Sequence, residues 1–181
     1  MVCADRTRAL PVVDPCDREL VISCGAALFN LRVALYHFDC GCEIHPFPCP
    51  ADADVLAEVR VRPEGYRDAD LASLFPSLRR RATNRSDYSP DSVPLDLQKK
   101  LREAAAMEGA ALACIEEERL REQIAELIAE GDRIQFSDRH FRRELAAWMH
   151  SSHHSDGMPA YSKSVGRILD MATPVVSAAI R

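Results

Sequence analysis

The sequence predicts a protein with both helices and strands, because its 181 residues contain runs with helical and runs with strand-like patterns. Residues 20–38 carry apolar side chains at the spacing of a helix, over about five turns. Residues 56–62 alternate apolar and charged side chains, which is typical of a strand with one face in water. Residues 116–131 again show a helical pattern, with an apolar side and a charged side.

The composition is that of an ordinary globular protein. Hydrophobic residues make up 47% of the chain and charged residues 28%, which excludes the disordered and fibrous classes. A chain of this length can bury one core more easily than two. We therefore expect a single unit over residues 1–181.

The net charge and the first part of the sequence indicate where the protein is located and which partners it lacks. The formal net charge of −5 argues against general nucleic-acid binding, which requires a basic surface. No charged segment followed by a long apolar run opens the chain, and Asn30 and Arg32 interrupt its most apolar stretch. We expect a cytoplasmic protein without nucleic-acid or membrane partners.

The first half of the chain predicts a long helix between strands. Residues 2–4 suit a strand, and Asp14 and Pro15 suit the N-cap and first position of a helix. We expect residues 20–38 to form the most buried helix, since their apolar stripe is continuous. Residues 42–47 predict a short strand that Pro46 confines to a sheet edge.

The second half predicts mainly helices. Asp68 or Asp70 can cap a helix that kinks or restarts at Pro76. We further expect a helix from Pro94 through Met107. Four other elements are predicted: a buried strand at 110–115, a helix at 116–131, a helix capped by Ser137 and Asp138 that bears Phe141, and a last helix at 161–171.

Two clusters contain side chains that bind metals elsewhere. They are Cys40, Cys42, His45 and Cys49, and His150, His153 and His154. Neither has the C-x-x-C spacing or the carboxylate of a usual zinc site, and seven cysteines form no regular disulfide framework. We predict reduced cysteines and no metal site, and a metal-binding module stays an open alternative.

A basic segment provides the candidate binding site. Residues 78–88 read LRRRATNRSDY, and they place Arg81, Thr83 and Arg85 at alternate positions before a proline-bounded loop. Arginine presents a planar fork of donors that suits phosphate, and a threonine hydroxyl can complete the shell. The simpler interpretation is that these cations complement a helix dipole in solvent.

Several stretches resemble one family. The Arg-x-Thr-x-Arg pattern at 81–85, followed by Tyr88, resembles the basic signature that holds the flavin phosphate in nitroreductases. The run RELVISCGAALFNLRVAL at 18–35 is similar to the small-residue core helix of that family. Residues 9–15, 141–148 and 156–159 fit its Acg-like, internally duplicated branch of NAD(P)H nitroreductases.

The resemblance implies an α+β fold in which helices pack around a small mixed β-sheet, and we expect that fold class here. It implies FMN as cofactor, NAD(P)H as electron donor and a nitro or quinone-like small-molecule acceptor. Arg81, Thr83 and Arg85 would bind the phosphate and ribityl end of FMN, with Arg80 nearby. The alternative is a truncated or flavin-free relative without catalytic activity.

The resemblance also predicts how much of the family's fold this chain contains. The Acg-like branch has an upstream Ala-Pro-Ser-x-x-Asn-x-Gln-Pro-Trp segment and a second small-residue helix downstream, and neither occurs here. We therefore expect an incomplete fold from the middle of a longer protein. Residues 1–67 would end its first half, and residues 68–181 would begin its second.

Overall fold

The computed structural model describes residues 1–84, 88–150 and 158–159. Its backbone forms two compact units, Met1–Asn84 and Arg85–Arg181. The first unit contains β1 (Val2–Cys3), α1 (Arg18–His37), β2 (Gly41–Pro46), β3 (Val55–Arg62), α2 (Ala69–Ser73) and α3 (Phe75–Arg80). The second contains α4 (Leu95–Met107), α5 (Glu118–Ser137), α6 (Arg139–Ala147), β4 (Met149–His150) and β5 (Met158–Pro159). The predicted α+β class is confirmed.

The sheet of the first unit has the order β1-β3-β2, and both of its pairings are antiparallel. β2 pairs with β3 from Gly41 opposite Arg62 to Pro46 opposite Ala57, so Pro46 does lie on an edge strand. The expected mixed pairing does not occur within this sheet. Among the described residues, parallel pairing is confined to the two-residue strands β4 and β5.

One face of the β2–β3 hairpin is wet, as the alternation of residues 56–62 predicts. Arg62 donates to Glu43 across the two strands at 3.0 Å, and Arg60 binds Glu58 on its own strand at 3.0 Å. These bonds lower the pKa of both carboxyl groups, with the arginine hydrogen bond as the largest cause in each case. The core of this unit comprises Val33, Leu56, Ala57 and Leu71.

Helix α1 begins later than predicted, at Arg18, because Asp14 caps it from a distance. The buried Asp14 carboxylate accepts the backbone N–H groups of Arg18 at 2.8 Å and Leu20 at 2.9 Å. Asp17 occupies the N-cap position with a left-handed backbone (φ 56°) and makes no side-chain cap bond. Two otherwise unpaired amides of the first turn are thus satisfied by a residue outside the helix.

Helix α1 is the best covered of the long helices that the structure describes, but its apolar stripe is only partly buried. Val33 is the buried residue of α1, whereas Leu31 is 39% exposed and Ile22 and Phe38 are more exposed still. Only 6% of its most apolar window is buried. By length and composition alone α1 is long and apolar enough to cross a membrane, a test that core helices and signal sequences also pass.

The break between α2 and α3 follows its sequence signals. The Asp68 carboxylate accepts the Leu71 N–H at 3.0 Å and caps α2, as predicted. Pro76 lies in the first turn of α3, where its missing N–H costs nothing, so the chain restarts a helix there.

A close backbone contact holds the loop after β3 against the start of β2. A Cβ added to Gly41 would lie 2.7 Å from the carbonyl carbon of Gly65, and one added to Gly65 would lie 2.7 Å from the Arg62 Cβ. Such distances are shorter than packed atoms tolerate. Glycine at both positions therefore permits the loop to fold back on the sheet.

In the second unit, a single residue, Asp138, separates the end of α5 from the start of α6. The Asp138 carboxylate caps α6 through the His140 N–H at 2.8 Å, as predicted. Arg142 donates to the Phe136 carbonyl at 2.6 Å and so satisfies the end of α5. Phe141 is buried, with its ring edge against Phe136 at 5.2 Å.

Two elements of this unit differ from expectation. Helix α5 runs to Ser137 rather than Gly131, since a single helical glycine costs only about 1 kcal/mol. The predicted strand at 110–115 does not form. That stretch is irregular, with Leu112 and Ile115 both exposed. The helix predicted at 161–171 lies outside the described residues.

Candidate functional site

The candidate anion-binding residues follow the end of α3. Arg79 and Arg80 lie in its last turn, and Arg81 is the C-cap residue, with φ −62° and ψ 126°. The Arg81 N–H donates to the Ser77 carbonyl at 2.9 Å, which completes the last helical turn. Beyond it residues 82–84 are irregular and exposed, and Thr83 lies two residues after Arg81.

The structure leaves the third residue of this set untested. Arg85 lies outside the described residues, and the predicted convergence of Arg81 and Arg85 on one phosphate stays a prediction. Thr83 is exposed, as is Arg80. The structure therefore supplies exposed cations at the end of α3.

The electrostatics distinguish these arginines from others in the first unit. Arg6, Arg60, Arg62 and Arg67 each bind a carboxylate. Within the described ranges, Arg79, Arg80 and Arg81 form no ion pair. Three adjacent cations without a carboxylate partner in that part of the chain can accept an anion without first breaking an ion pair.

An aromatic cluster that sequence reasoning missed positions α3 on α1. The His37 imidazole lies flat on the Phe75 ring, with centroids 4.1 Å apart and planes 8° apart. Phe38 meets Phe75 edge to face at 5.3 Å. Phe75 lies one helical turn before Arg79. The cluster therefore fixes the position of the arginine-bearing end of α3 relative to α1. The only sequence signal was the pairing of aromatic residues at the end of one helix and the start of another.

A polar contact joins α1 to β2 near its start. The Tyr36 hydroxyl interacts with the Cys42 thiol and with Arg32. Burial raises the pKa of the Tyr36 phenol, the nearby Cys42 raises it further, and Arg32 opposes both.

The cysteine and histidine clusters form no metal centre in the described part of the chain. There, no group of three or more histidine, cysteine or acidic side chains is placed to hold a metal ion. All seven cysteines are free, and the Cys40 thiol donates to the Phe38 carbonyl at 3.5 Å. His153 and His154 lie outside the described residues.

Comparison with known proteins identifies relatives in Mycobacterium tuberculosis. The protein named "Putative NAD(P)H nitroreductase Rv3131" is 32% identical over 147 residues, which are 81% of this chain and 42% of that protein. "Uncharacterized protein Rv3127" is 28% identical over 145 residues, 80% of this chain and 42% of its own length. "Putative NAD(P)H nitroreductase acg" is 26% identical over 160 residues, 86% of this chain and 46% of its own.

No protein-family model matches this chain. The relatives nevertheless match most of it and include the protein after which the Acg-like branch is named. The resemblance found in the sequence is thus confirmed. This chain is a relative of the Acg-like branch of the nitroreductase family, and it spans about two fifths of the length of the curated relatives it matches.

Proposed function

We propose that this chain takes part in the NAD(P)H-dependent reduction of nitro or quinone-like small molecules, with FMN as the cofactor. The observation that carries the proposal is the 32% identity, over 81% of this chain, to a protein named as an NAD(P)H nitroreductase. When bound, FMN supplies the chemistry by accepting a hydride and passing electrons on, and the protein binds and orients it. The electron donor, the cofactor and the electron acceptor are all proposals for this chain, because the match covers 42% of that relative's length.

In this proposal Arg81, Thr83 and Arg85 hold the phosphate and ribityl end of FMN. The exposure of Arg81 and its lack of an ion pair within the described ranges support the assignment. A guanidinium suits a phosphate because its planar fork can donate two parallel hydrogen bonds. Arg80, one residue earlier at the end of α3, adds positive charge.

The second candidate is a flavin-free relative, and the exposure of this site favours it. The flat isoalloxazine ring needs apolar walls, whereas charge-assisted hydrogen bonds alone scarcely exceed the ordering cost of association. We therefore expect the chain to bind FMN weakly.

The test is a titration of FMN fluorescence with the chain and its Arg81→Ala and Arg85→Ala variants. Loss of a charge-assisted hydrogen bond worth about 1.5–3 kcal/mol should weaken binding about 10- to 100-fold. Arg79→Ala is the matched control, since it removes the same charge two residues earlier, within α3, and should change the Kd by less than about threefold.

Two results would reject the proposed site. Equal weakening by Arg79→Ala and Arg81→Ala would show general attraction of an anion to a basic surface. Tight binding that neither variant disturbs would place the flavin elsewhere. If FMN is not bound and added NAD(P)H is not oxidised in the presence of a nitroaromatic acceptor, the flavin-free candidate is supported instead.

We also propose a cytoplasmic location, with no nucleic-acid or membrane partner. The net charge of −5 supports the first exclusion. The exposed apolar surface of α1 makes the second worth testing directly. Alkaline extraction of cell membranes should release the chain into the soluble fraction, and retention in the pellet would contradict the proposed location.

A further inference from the structure

Thr83 carries a hydroxyl group on an exposed and irregular part of the chain. Residues 81–84 have no regular secondary structure, and all four are exposed. Among the residues that the structure describes, the Thr83 hydroxyl has no hydrogen-bond partner. An enzyme can therefore reach this hydroxyl without unfolding a helix or a strand, as is usual for exposed irregular segments.

The other serine and threonine hydroxyls in the described ranges differ from that of Thr83. Thr7 and Ser89 donate to aspartate carboxylates, at 2.6 and 2.8 Å. Ser92 is exposed and irregular, but Asp91 precedes it. The remaining four lie within helices: Ser23, Ser73, Ser77 and Ser137. Thr83 alone in this part of the chain combines an exposed, irregular backbone with cations on its N-terminal side.

Those cations are three consecutive arginines. Arg79 and Arg80 end α3, and Arg81 is its C-cap residue, so they precede Thr83 by four, three and two positions. All three are exposed, and within the described ranges they form no ion pair. A guanidinium can donate two parallel hydrogen bonds to one carboxylate. The segment therefore suits a protein cleft that is lined with acidic side chains.

We propose that Thr83 is a phosphorylation site for a serine/threonine protein kinase whose acidic substrate cleft recognises Arg80 and Arg81. Kinases select their substrates partly by the charges beside the acceptor hydroxyl. In the reaction a bond forms between Thr83 Oγ1 and the γ-phosphorus of ATP. The bond from that phosphorus to the β–γ bridging oxygen breaks, ADP leaves, and the hydroxyl proton passes to the catalytic aspartate of the kinase. The step changes no oxidation state.

The backbone of this segment is close to a conformation that a groove can bind. Arg81 is extended, with φ −62° and ψ 126°, and an extended segment presents its side chains to the walls of a groove. Only the last turn of α3, which the Arg81 N–H closes on the Ser77 carbonyl, has to open further. Terminal turns of helices open at low cost. The stacking of Phe75 on His37 meanwhile holds the start of α3 on α1.

A phosphate on Thr83 places an anion of the chain itself at the proposed flavin-phosphate site. This consequence rests on the proposed function. Phosphorylation adds about 1.5–2 negative charges at neutral pH, together with strong acceptor oxygens. The new group neutralises the nearby Arg81 and repels the phosphate of FMN. We therefore expect phosphorylation to weaken FMN binding at least about tenfold.

The first experiment treats the full chain with ATP and the catalytic subunit of cyclic-AMP-dependent protein kinase, an arginine-directed enzyme. Peptide mass spectrometry should find phosphate on Thr83, and the Thr83→Val variant should lack it. Arg80→Ala and Arg81→Ala should each lower kcat/KM for phosphorylation about 10- to 100-fold, since each removes a hydrogen bond between charged groups. Arg139→Ala is the matched control, because it removes an exposed arginine from α6 and should leave kcat/KM unchanged.

The second experiment isolates the chain from the cells that make it, in the presence of phosphatase inhibitors. Peptide mass spectrometry should again find phosphate on Thr83. Titration of FMN fluorescence with the phosphorylated and unphosphorylated forms then tests the effect on the flavin separately. If Thr83 carries phosphate and neither form binds FMN, the modification site stands and the proposed flavin role is rejected.

Three results would overturn the proposal. The first is the absence of phosphate from Thr83 after treatment with the kinase and ATP. The second is phosphorylation of Arg80→Ala and Arg81→Ala as fast as the parent chain, which would exclude recognition through these arginines. The third is a chain from its own cells that carries no phosphate on Thr83.

Discussion

The imidazole of His37, in the last turn of α1, stacks on the ring of Phe75, the first residue of α3, with centroids 4.1 Å apart. Offset or edge contacts between aromatic rings contribute about 0.5–1.5 kcal/mol beyond the area they bury. A double-mutant cycle with His37→Ala and Phe75→Ala, followed by urea unfolding, should give a coupling energy in that range. Additive losses would show that the two rings are neighbours without mutual stabilisation.

Val33 should be the position of α1 most sensitive to truncation. It is the residue of that helix with 0% exposure, so Val33→Ala removes two fully buried methyl groups and should cost about 2–3 kcal/mol. Leu31→Ala is the control, and its 39% exposure reduces the expected loss to about 1 kcal/mol. A larger loss at Leu31 than at Val33, measured by urea denaturation, would mean that the exposed side of α1 is covered in solution.

The start of α1 should depend on Asp14 more than on Asp17. Asp14→Ala leaves two first-turn amides without their buried acceptor, and loss of a helix cap costs about 1–2 kcal/mol. Asp17→Asn removes only an exposed ion pair with Arg6 and should cost less. Thermal unfolding of both variants would compare the two residues, and equal losses would contradict the assigned cap.

The ion pair of Arg6 and Asp54 should make stability depend on acid pH. The 2.7 Å hydrogen bond from Arg6 is the main cause that lowers the pKa of Asp54 in the folded chain. The stability from this pair is therefore fully present above the unfolded pKa of about 3.9 and is lost as pH falls through the lower folded pKa.

Urea midpoints measured from neutral pH down to about pH 2 should show this loss in the parent chain. The loss should be smaller in Arg6→Ala. Arg139→Ala, which removes an equal charge from an exposed site, should keep the slope of the parent. Added salt should flatten the parent curve, since both partners are exposed. A parent slope that persists in Arg6→Ala would assign the acid sensitivity to other groups.

Metal removal should leave the fold intact. Among the described residues, no three histidine, cysteine or acidic side chains are placed to hold a metal ion. This includes the cluster of Cys40, Cys42, His45 and Cys49. Prolonged treatment with a strong chelator should therefore leave the circular dichroism spectrum and the unfolding midpoint unchanged. Unfolding on chelation, reversed by added zinc, would reveal a structural metal site.

Local chemistry explains which parts of the fold could be predicted from sequence. Asp68 capping α2, Pro76 restarting a helix and Asp138 capping α6 are interactions within a few residues, so the sequence contains both partners. The same holds for the wet face of β3, where alternate residues bear the charges.

Burial could not be predicted in this way, because it depends on what packs against an element. The apolar stripe of α1 has the composition of a core helix, yet Val33 is its one fully buried residue and the rest of the stripe is partly covered or exposed. Residues 110–115 are apolar enough for a strand but have no partner strand in the described sheets. At the candidate site, the roles of Arg81 and Thr83 stay predictions, and sequence reasoning missed the ring of Phe75, whose partner His37 is 38 positions away.

The backbone contact between Gly41 and Gly65 implies an unusual pattern of tolerance to mutation. A side chain at Gly41 would meet the backbone of Gly65 and Tyr66, whereas one at Gly65 would meet Arg62 first and the Gly41 Cα at 3.4 Å. The backbones of the two residues are in contact, so the stability losses from substituting both should not be additive. In a library of all single substitutions, Gly41 and Gly65 should then tolerate side chains as poorly as the buried core residues do.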